Sequence, residues 1–187
     1  MTRPAAEIEH RAASDREQVA WVDESDRVLG ALPRAELRAR GLIGRGTFIF
    51  LLNGQGHLCV HQRVMSKAVY PGYFDVAAGG MVAADEPYEI AAARELEEEL
   101  GIGGVTLRDH GRFFFDAPGN RLWGAIYSAV SDAPLRLQPE EVAAAWFMSI
   151  EDVLVDIEQR PYCPDSQVAL MHFLASRQAC LPISEAT

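Results

Sequence analysis

Apolar and polar residues along this chain fall into short runs whose period switches repeatedly between two and about three and a half. Residues 19–23 and 27–32 are apolar segments around the polar Glu24-Ser25-Asp26, a pattern that predicts a short hairpin. Pro33 to Arg40 suits a short helix, with Pro in its first turn and Gly41 as its stop. Thr47 to Leu52 is an apolar run of strand length. The turn signal Asn53-Gly54 follows and leads into a partner strand from His57 to Arg63. Residues 64–72 contain Pro71-Gly72 and read as a loop, after which Tyr73 to Ala78 is a strand ending at Gly79-Gly80. A helix opens at Asp85-Glu86-Pro87, runs to Leu100 and stops at Gly101. Strands over 105–115 and 122–130 flank a turn at Pro118-Gly119-Asn120, and Val142 to Met148 is a further strand. Ser149 can cap a helix over 150–154, and Asp165 or Ser166 a final helix to about Arg177. No repeat or linker interrupts this order. It predicts one α/β domain over 18–178, a mixed sheet with helices packed on it, between a flexible tail at 1–17 and another at 179–187.

The helix ending at Leu100 carries the chemistry. On a helical wheel Ile90, Ala93, Leu96 and Leu100 form the side expected to pack on the sheet. Glu95, Glu98 and Glu99 are spaced i, i+3 and i+4 and crowd on another face, turned away from the apolar one. Like charges at that spacing cost only about 0.2–0.5 kcal/mol on an exposed helix, so repulsion alone does not demand a cation. Position does argue for one. The three carboxylates converge beside Gly79-Gly80, where a strand end lets backbone oxygens approach. Hard oxygen donors in small number suit Mg²⁺, which keeps several waters and shares its remaining sites with substrate phosphate. Thiolate and imidazole ligands at metal spacing are missing, which disfavours zinc.

Composition narrows the setting. The chain has 187 residues, enough to bury a core, and its 49% apolar and 24% charged residues are those of a globular protein. Its formal charge of −10 repels nucleic-acid polymers and anionic membranes, so a small anionic substrate needs local arginines or cations. Cys59, Cys163 and Cys180 match neither a zinc site nor a disulfide framework. The N-terminus lacks the apolar stretch of a signal peptide, and no apolar run is long enough to cross a bilayer. These features fit a reducing cytoplasm and leave a homodimer open.

Gly80, five residues, Glu86, seven residues, Arg94-Glu95-Leu96, one residue, Glu98-Glu99, one residue, Gly101-Ile102 resembles the Nudix box at all nine specified positions across 23 residues. The chain is identified by this as similar to the Nudix hydrolases, and the resemblance extends over roughly residues 18–178. It implies an α/β/α sandwich around a mixed sheet, and Mg²⁺-dependent cleavage (Mn²⁺ being the alternative) of a small nucleoside-diphosphate-X or related X-diphosphate by water. On that resemblance Glu95, Glu98 and Glu99 hold the metal with a carbonyl near Gly79-Gly80. One of Glu95 or Glu98 takes the proton, and Arg94 orients a neighbouring glutamate. Arg63, Lys67, Arg112 and Arg121 are candidates for substrate contacts, and Tyr70, Phe74, Phe114 and Trp123 for the wall around X.

Segments including Val22-Asp23-Glu24, Asp26 to Gly30, Ser66-Lys67, Tyr70-Pro71-Gly72 and Asp165-Ser166 resemble the YfcD-like branch. They also resemble the type 1 isopentenyl-diphosphate isomerases, which share the scaffold. The isomerase pattern places an acid/base Cys directly before the box glycine and a His directly after it. Here those positions are Gly79 and Met81. It also places paired glutamates in the strand after the box and histidines before the first core strand. The matching stretches read Gly119 to Leu122 and Gly44-Arg45-Gly46. Protonating an unactivated alkene needs a placed acid opposite a base, so the reading is hydrolysis rather than isomerisation. A non-catalytic Nudix sensor domain is the other alternative, and the intact box weighs against it.

Overall fold

The structure, a computed structural model, describes residues 3–179. The strands are β1 (Gln18–Val22), β2 (Val28–Pro33), β3 (Ile43–Leu52), β4 (Leu58–Arg63), β5 (Phe74–Asp75), β6 (Arg108–Ala117), β7 (Asn120–Val130) and β8 (Val142–Met148). The helices are α1 (Arg3–Ser14), α2 (Arg34–Ala39), α3 (Tyr88–Leu100), α4 (Ile150–Ile157) and α5 (Pro164–Ala179). The sheet is mixed. β3 pairs with β7 in parallel from Gly44↔Leu122 to Leu52↔Val130, while β1–β2, β1–β3, β6–β7, β4–β5 and β4–β8 are antiparallel.

Alternation along β3 explains the layers. Phe48, Phe50 and Leu52 face a core shared with Val153 of α4 and Ala169, Leu170 and Phe173 of α5. Ile49 and Leu51 face the opposite core, shared with Ala91, Ala92, Leu96 and Leu100 of α3. A strand buried on both faces and covered by helices on each is the α/β/α sandwich expected from the sequence.

Two expectations need correction. The segment expected as a flexible tail at 1–17 contains α1, a 12-residue helix. Its alanines favour a helix, and its polar side chains find partners on the domain. His10 meets Gln138 and Glu141 at 3.1 and 3.2 Å, Ser14 accepts from Arg34 at 2.7 Å, and Asp15 accepts from Arg38 at 2.8 Å. At the other end, 180–187 lie outside the described residues, and Ala179 is the last residue of α5.

The buried face of α3 is also rotated from the expected one. Ile90 is 58% exposed and Ala93 is exposed, whereas Tyr88, Ala91, Ala92, Leu96, Glu99 and Leu100 are buried. Glu99 therefore lies within the packed arc, not opposite it. Gly101, in the left-handed conformation at φ 70°, closes α3 and donates to Glu97 O.

Candidate active site

The site grows from the segment between β5 and α3. Residues 78–82 run antiparallel to β3, with Ile49 N donating to Ala78 O at 2.7 Å, Thr47 N to Gly80 O at 2.9 Å and Val82 N to Arg45 O at 2.9 Å. The Gly79 N–H donates instead to Glu99 Oε2 at 3.1 Å. Both glycines are dictated by close approach. Gly79 has φ +152°, and a Cβ there would stand 1.9 Å from Thr47 O. A Cβ on Gly80 would stand 2.5 Å from Glu95 Oε1.

Two of the three predicted carboxylates turn inward and one outward. The side chains of Glu95 and Glu99 are 14% and 3% exposed, while that of Glu98 is 51% exposed. Arg94 ties the group together. Its Nη1 donates to Glu95 Oε1 at 2.8 Å and to Glu98 Oε2 at 3.0 Å, while Nε and Nη2 hold both oxygens of Glu86 at 3.0 Å. The doubly bonded Arg94 holds Glu86 below the usual carboxylate range, and Glu86 also accepts from Ala83 N at 3.2 Å. Burial, reinforced by the Glu99 charge, pushes Glu95 up to about 7 against the pull of Arg94. Lys67 lies 3.8 Å from Glu99 Oε1 and also pairs with Glu141. Burial pushes Lys67 down to about 8.

Among the described residues, no three His, Cys, Asp or Glu side chains stand as a ready-made cation cage. Arg94 spans Glu95 and Glu98, and Glu99 is turned to the Gly79 N–H.

Gly79 and Gly80 form part of the wall of an open cleft. Four arginines line it: Arg34, Arg38, Arg63 and Arg121. Leu37, Leu42, Phe48, Met81 and Leu122 supply apolar walls, and Tyr70, Asp75, Asn120 and Asp165 a polar region. Of the four predicted substrate contacts, Arg63 and Arg121 are here. Arg63 donates to Val69 O at 3.2 Å and faces Asp75 at 3.4 Å, and Arg121 bonds Asp116 and Gly41 O. Lys67 lines an adjoining pocket shared with Arg34, Arg38 and Arg63. Arg112 lies elsewhere, bonded to Asp26 at 2.6 Å and stacked 4.6 Å from the centre of the Tyr88 ring. Of the aromatic candidates only Tyr70 lines the cleft. Phe74 packs on Trp146 and Tyr162, and Phe114 on Trp123.

Arg34, Arg38 and Asp165 were not legible as cleft residues. Arg34 and Arg38 sit one helical turn apart in α2, an i, i+4 spacing that puts both on one face, and this was the available signal. Burial lowers the Arg34 pKa, with the Glu95 charge opposing, which places the guanidinium within electrostatic reach of that carboxylate.

The positions that would carry isomerase chemistry are filled differently. A Cys in place of Gly79 would meet the Thr47 carbonyl, and the Met81 side chain packs so that a Cβ on Gly44 would be 2.4 Å from its Cε.

The NUDIX domain model matches residues 42–166. An uncharacterised Nudix hydrolase of Pseudomonas aeruginosa is 68% identical over 165 residues, covering 88% of this chain and 98% of that protein. The uncharacterised Nudix hydrolase YfcD of Escherichia coli is 38% identical over 163 residues, covering 87% and 89%. Among solved structures, DR0079 of Deinococcus radiodurans superposes with a TM-score of 0.72 at 26% identity, over 84% of this chain and 99% of that one. The chain belongs to the Nudix hydrolase family, in its YfcD-like branch, and is a hydrolase of pyrophosphate bonds.

Proposed function

We propose that this protein is a Mg²⁺-dependent hydrolase that cuts the diphosphate of a small nucleoside-diphosphate-X or related X-diphosphate. The observation that carries this reading is the Glu95 and Glu99 carboxylates pressed against side-chain-free Gly79-Gly80 on the wall of an arginine-lined cleft. The donor set fits a hard divalent cation. Two buried carboxylates stand near enough for the charge of Glu99 to raise the proton affinity of Glu95, and an added cation relieves that repulsion. Glu95, Glu98 and Glu99, with a carbonyl of Gly79 or Gly80, would hold Mg²⁺ or Mn²⁺. When bound, the ion supplies a polarised water and neutralises diphosphate charge.

The chain's own groups do the rest. Arg34, Arg38, Arg63 and Arg121 bind the diphosphate, each a fork of N–H donors suited to phosphate oxygens. Glu95 or Glu98 takes the proton of the attacking water. Arg94 positions both carboxylates through one nitrogen while Glu86 anchors its other side. Gly79 and Met81 supply no acid where alkene isomerisation needs one. The test is phosphate or phosphomonoester release from a panel of X-diphosphates with and without Mg²⁺. Isopentenyl diphosphate in deuterated water is included. Hydrolysis of at least one member in Mg²⁺ is expected. Deuterium in a dimethylallyl product would overturn the reading, and ligand binding without any turnover would make the protein a sensor domain.

A further inference from the structure

Three polar side chains outside the cleft meet where the last turn of α5 packs on β6 and β7. His110 Nε2 stands 2.7 Å from Ser128 Oγ of β7, and its Nδ1 stands 2.7 Å from Ser176 Oγ of α5. A bulge places the ring. The β6–β7 register passes from Asp109↔Tyr127 to Arg112↔Ala125, so His110 and Gly111 together stand opposite Ile126. Gly111 takes φ +93°, and its N–H donates to Asp109 Oδ1 at 2.7 Å. The bulge turns His110 towards α5, where the ring packs edge-on against Phe173 with centroids 4.9 Å apart. None of the three is fully buried, and none lines the cleft.

The hydrogen bonds fix the direction of the protons. Ser176 Oγ lies 2.7 Å from the Phe173 carbonyl, which only accepts, so the Ser176 proton is directed there. Ser176 Oγ then accepts from His110, which places the His110 proton on Nδ1. The other nitrogen, Nε2, is left as the acceptor, and Ser128 donates its hydroxyl proton to it. Burial, with the Arg108 charge added, lowers the His110 pKa and keeps the ring a neutral base. A serine donating to a base whose far nitrogen is anchored by a third group is the arrangement that activates a nucleophile. Positive charge frames it. Arg108 stands opposite Ser128 in the register, Arg177 follows Ser176 in α5, and both act on His110, with Asp109 opposing.

We propose that Ser128 is a nucleophile that takes the acyl group of a small acyl phosphate, with His110 as its general base and Ser176 positioning that base. Ser128 Oγ forms a bond to the carbonyl carbon as its proton passes to His110 Nε2. The bond from that carbon to the phosphate-bearing oxygen breaks, and the electron pair leaves with inorganic phosphate. The imidazolium gives its proton to the departing phosphate, and an O-acyl serine remains. The class of donor follows from the surroundings. A carbonyl carbon is what a hydroxyl paired with an imidazole attacks, and an anionic leaving group is drawn to Arg108 and Arg177. The site stands apart from the hydrolase reading and does not depend on it.

The full-length protein is incubated with acetyl phosphate, and each serine is followed by peptide mass mapping. Ser25, exposed between β1 and β2, is the internal reference. The expected result is one acetyl group on Ser128, gained about tenfold or more faster than on Ser25, and a loss of about 10²-fold in that rate in His110→Gln, which removes the base. Ser176→Ala leaves the His110 proton free to sit on either nitrogen and is expected to slow the same step about threefold or more, while Ser176→Thr, which keeps the hydroxyl, restores it. Melting temperatures report the fold of each variant, and the wild-type map decides by itself if His110→Gln does not fold. Acetylation of Ser128 no faster than of Ser25, phosphate rather than acetyl on Ser128, or a rate unchanged in His110→Gln would overturn the proposal.

Discussion

Two glycines control how close the carboxylates come to the backbone. A methyl group on Gly80 would occupy the space of the Glu95 carboxylate, 2.5 Å from its Oε1, and would meet only the movable end of a side chain. Gly80→Ala is therefore expected to fold with a near-native melting temperature and to lose about 10²-fold in kcat, since misplacement by about 1 Å costs that much. Equal kcat for variant and wild type would mean that the Glu95 position is not critical. Asp165 gives a prediction about pH. Its folded pKa is raised from 3.8 to about 6 by burial and the Asp75 charge. The folded state then holds the proton more tightly than the unfolded chain. Stability from this group is full below about pH 4, falls as pH rises from about 4 to about 6, and stays reduced above that. A shift of that size corresponds to roughly 2–3 kcal/mol. Asp165→Asn should lack this loss, so the gap in unfolding free energy between variant and wild type widens in the variant's favour from pH 4 to pH 7. A gap independent of pH would show that Asp165 ionises in the fold at little cost.

At the scale of elements, α3 and α1 differ in how much their sequences disclosed. The box made the existence, limits and carboxylates of α3 plain, because fixed spacing on a helix fixes which residues share a face. Its orientation was less plain. Ile90 looked like a core residue, but the packed arc runs through Ala91, Ala92 and Glu99, and small alanines let the helix approach β3 closely enough to bury Glu99 against the Gly79 N–H. Burial of a carboxylate depends on a partner 20 residues away, which no periodicity reveals. α1 was hidden for a similar reason. A 12-residue helix is marginal alone, and this one is supported by contacts to Arg34, Gln138 and Glu141, with Asp15 just past its end bonded to Arg38. Those contacts link α1 to the cleft. Changing Ser14 and Asp15 to Ala together frees Arg34 and Arg38 from their bonds at 2.7 and 2.8 Å. The expected result is a KM for the diphosphate raised about three- to tenfold with kcat within about twofold, the signature of lost uniform binding. A fall in kcat with unchanged KM would remove those arginines from the substrate-binding role.

At the scale of the whole molecule, a mixed sheet with helices packed on it was legible from the order of apolar runs and turns, and its α/β/α layering from the family resemblance, whereas the strand order and the cleft were not. Arg34 from α2, Arg63 from the end of β4, Arg121 from β7 and Asp165 from α5 meet only because β3 and β7 pair in parallel and α2 and α5 pack beside them. Arg112 illustrates the converse. It sits on β6 next to β7, yet its guanidinium serves Asp26 and the Tyr88 ring. The account as a whole turns on metal-assisted hydrolysis at the Glu95, Glu98 and Glu99 face, and one assay addresses it most directly. Product release is measured across an X-diphosphate panel in Mg²⁺, in Mn²⁺ and in a chelator, for the wild type and for Glu98→Gln. Glu98 is half exposed, so the variant keeps its fold, and its melting temperature checks this. The account predicts turnover of at least one diphosphate in Mg²⁺, none in the chelator, and about 10²-fold or greater loss in Glu98→Gln. No turnover of any member with either metal, or turnover that neither the chelator nor Glu98→Gln changes, would contradict it.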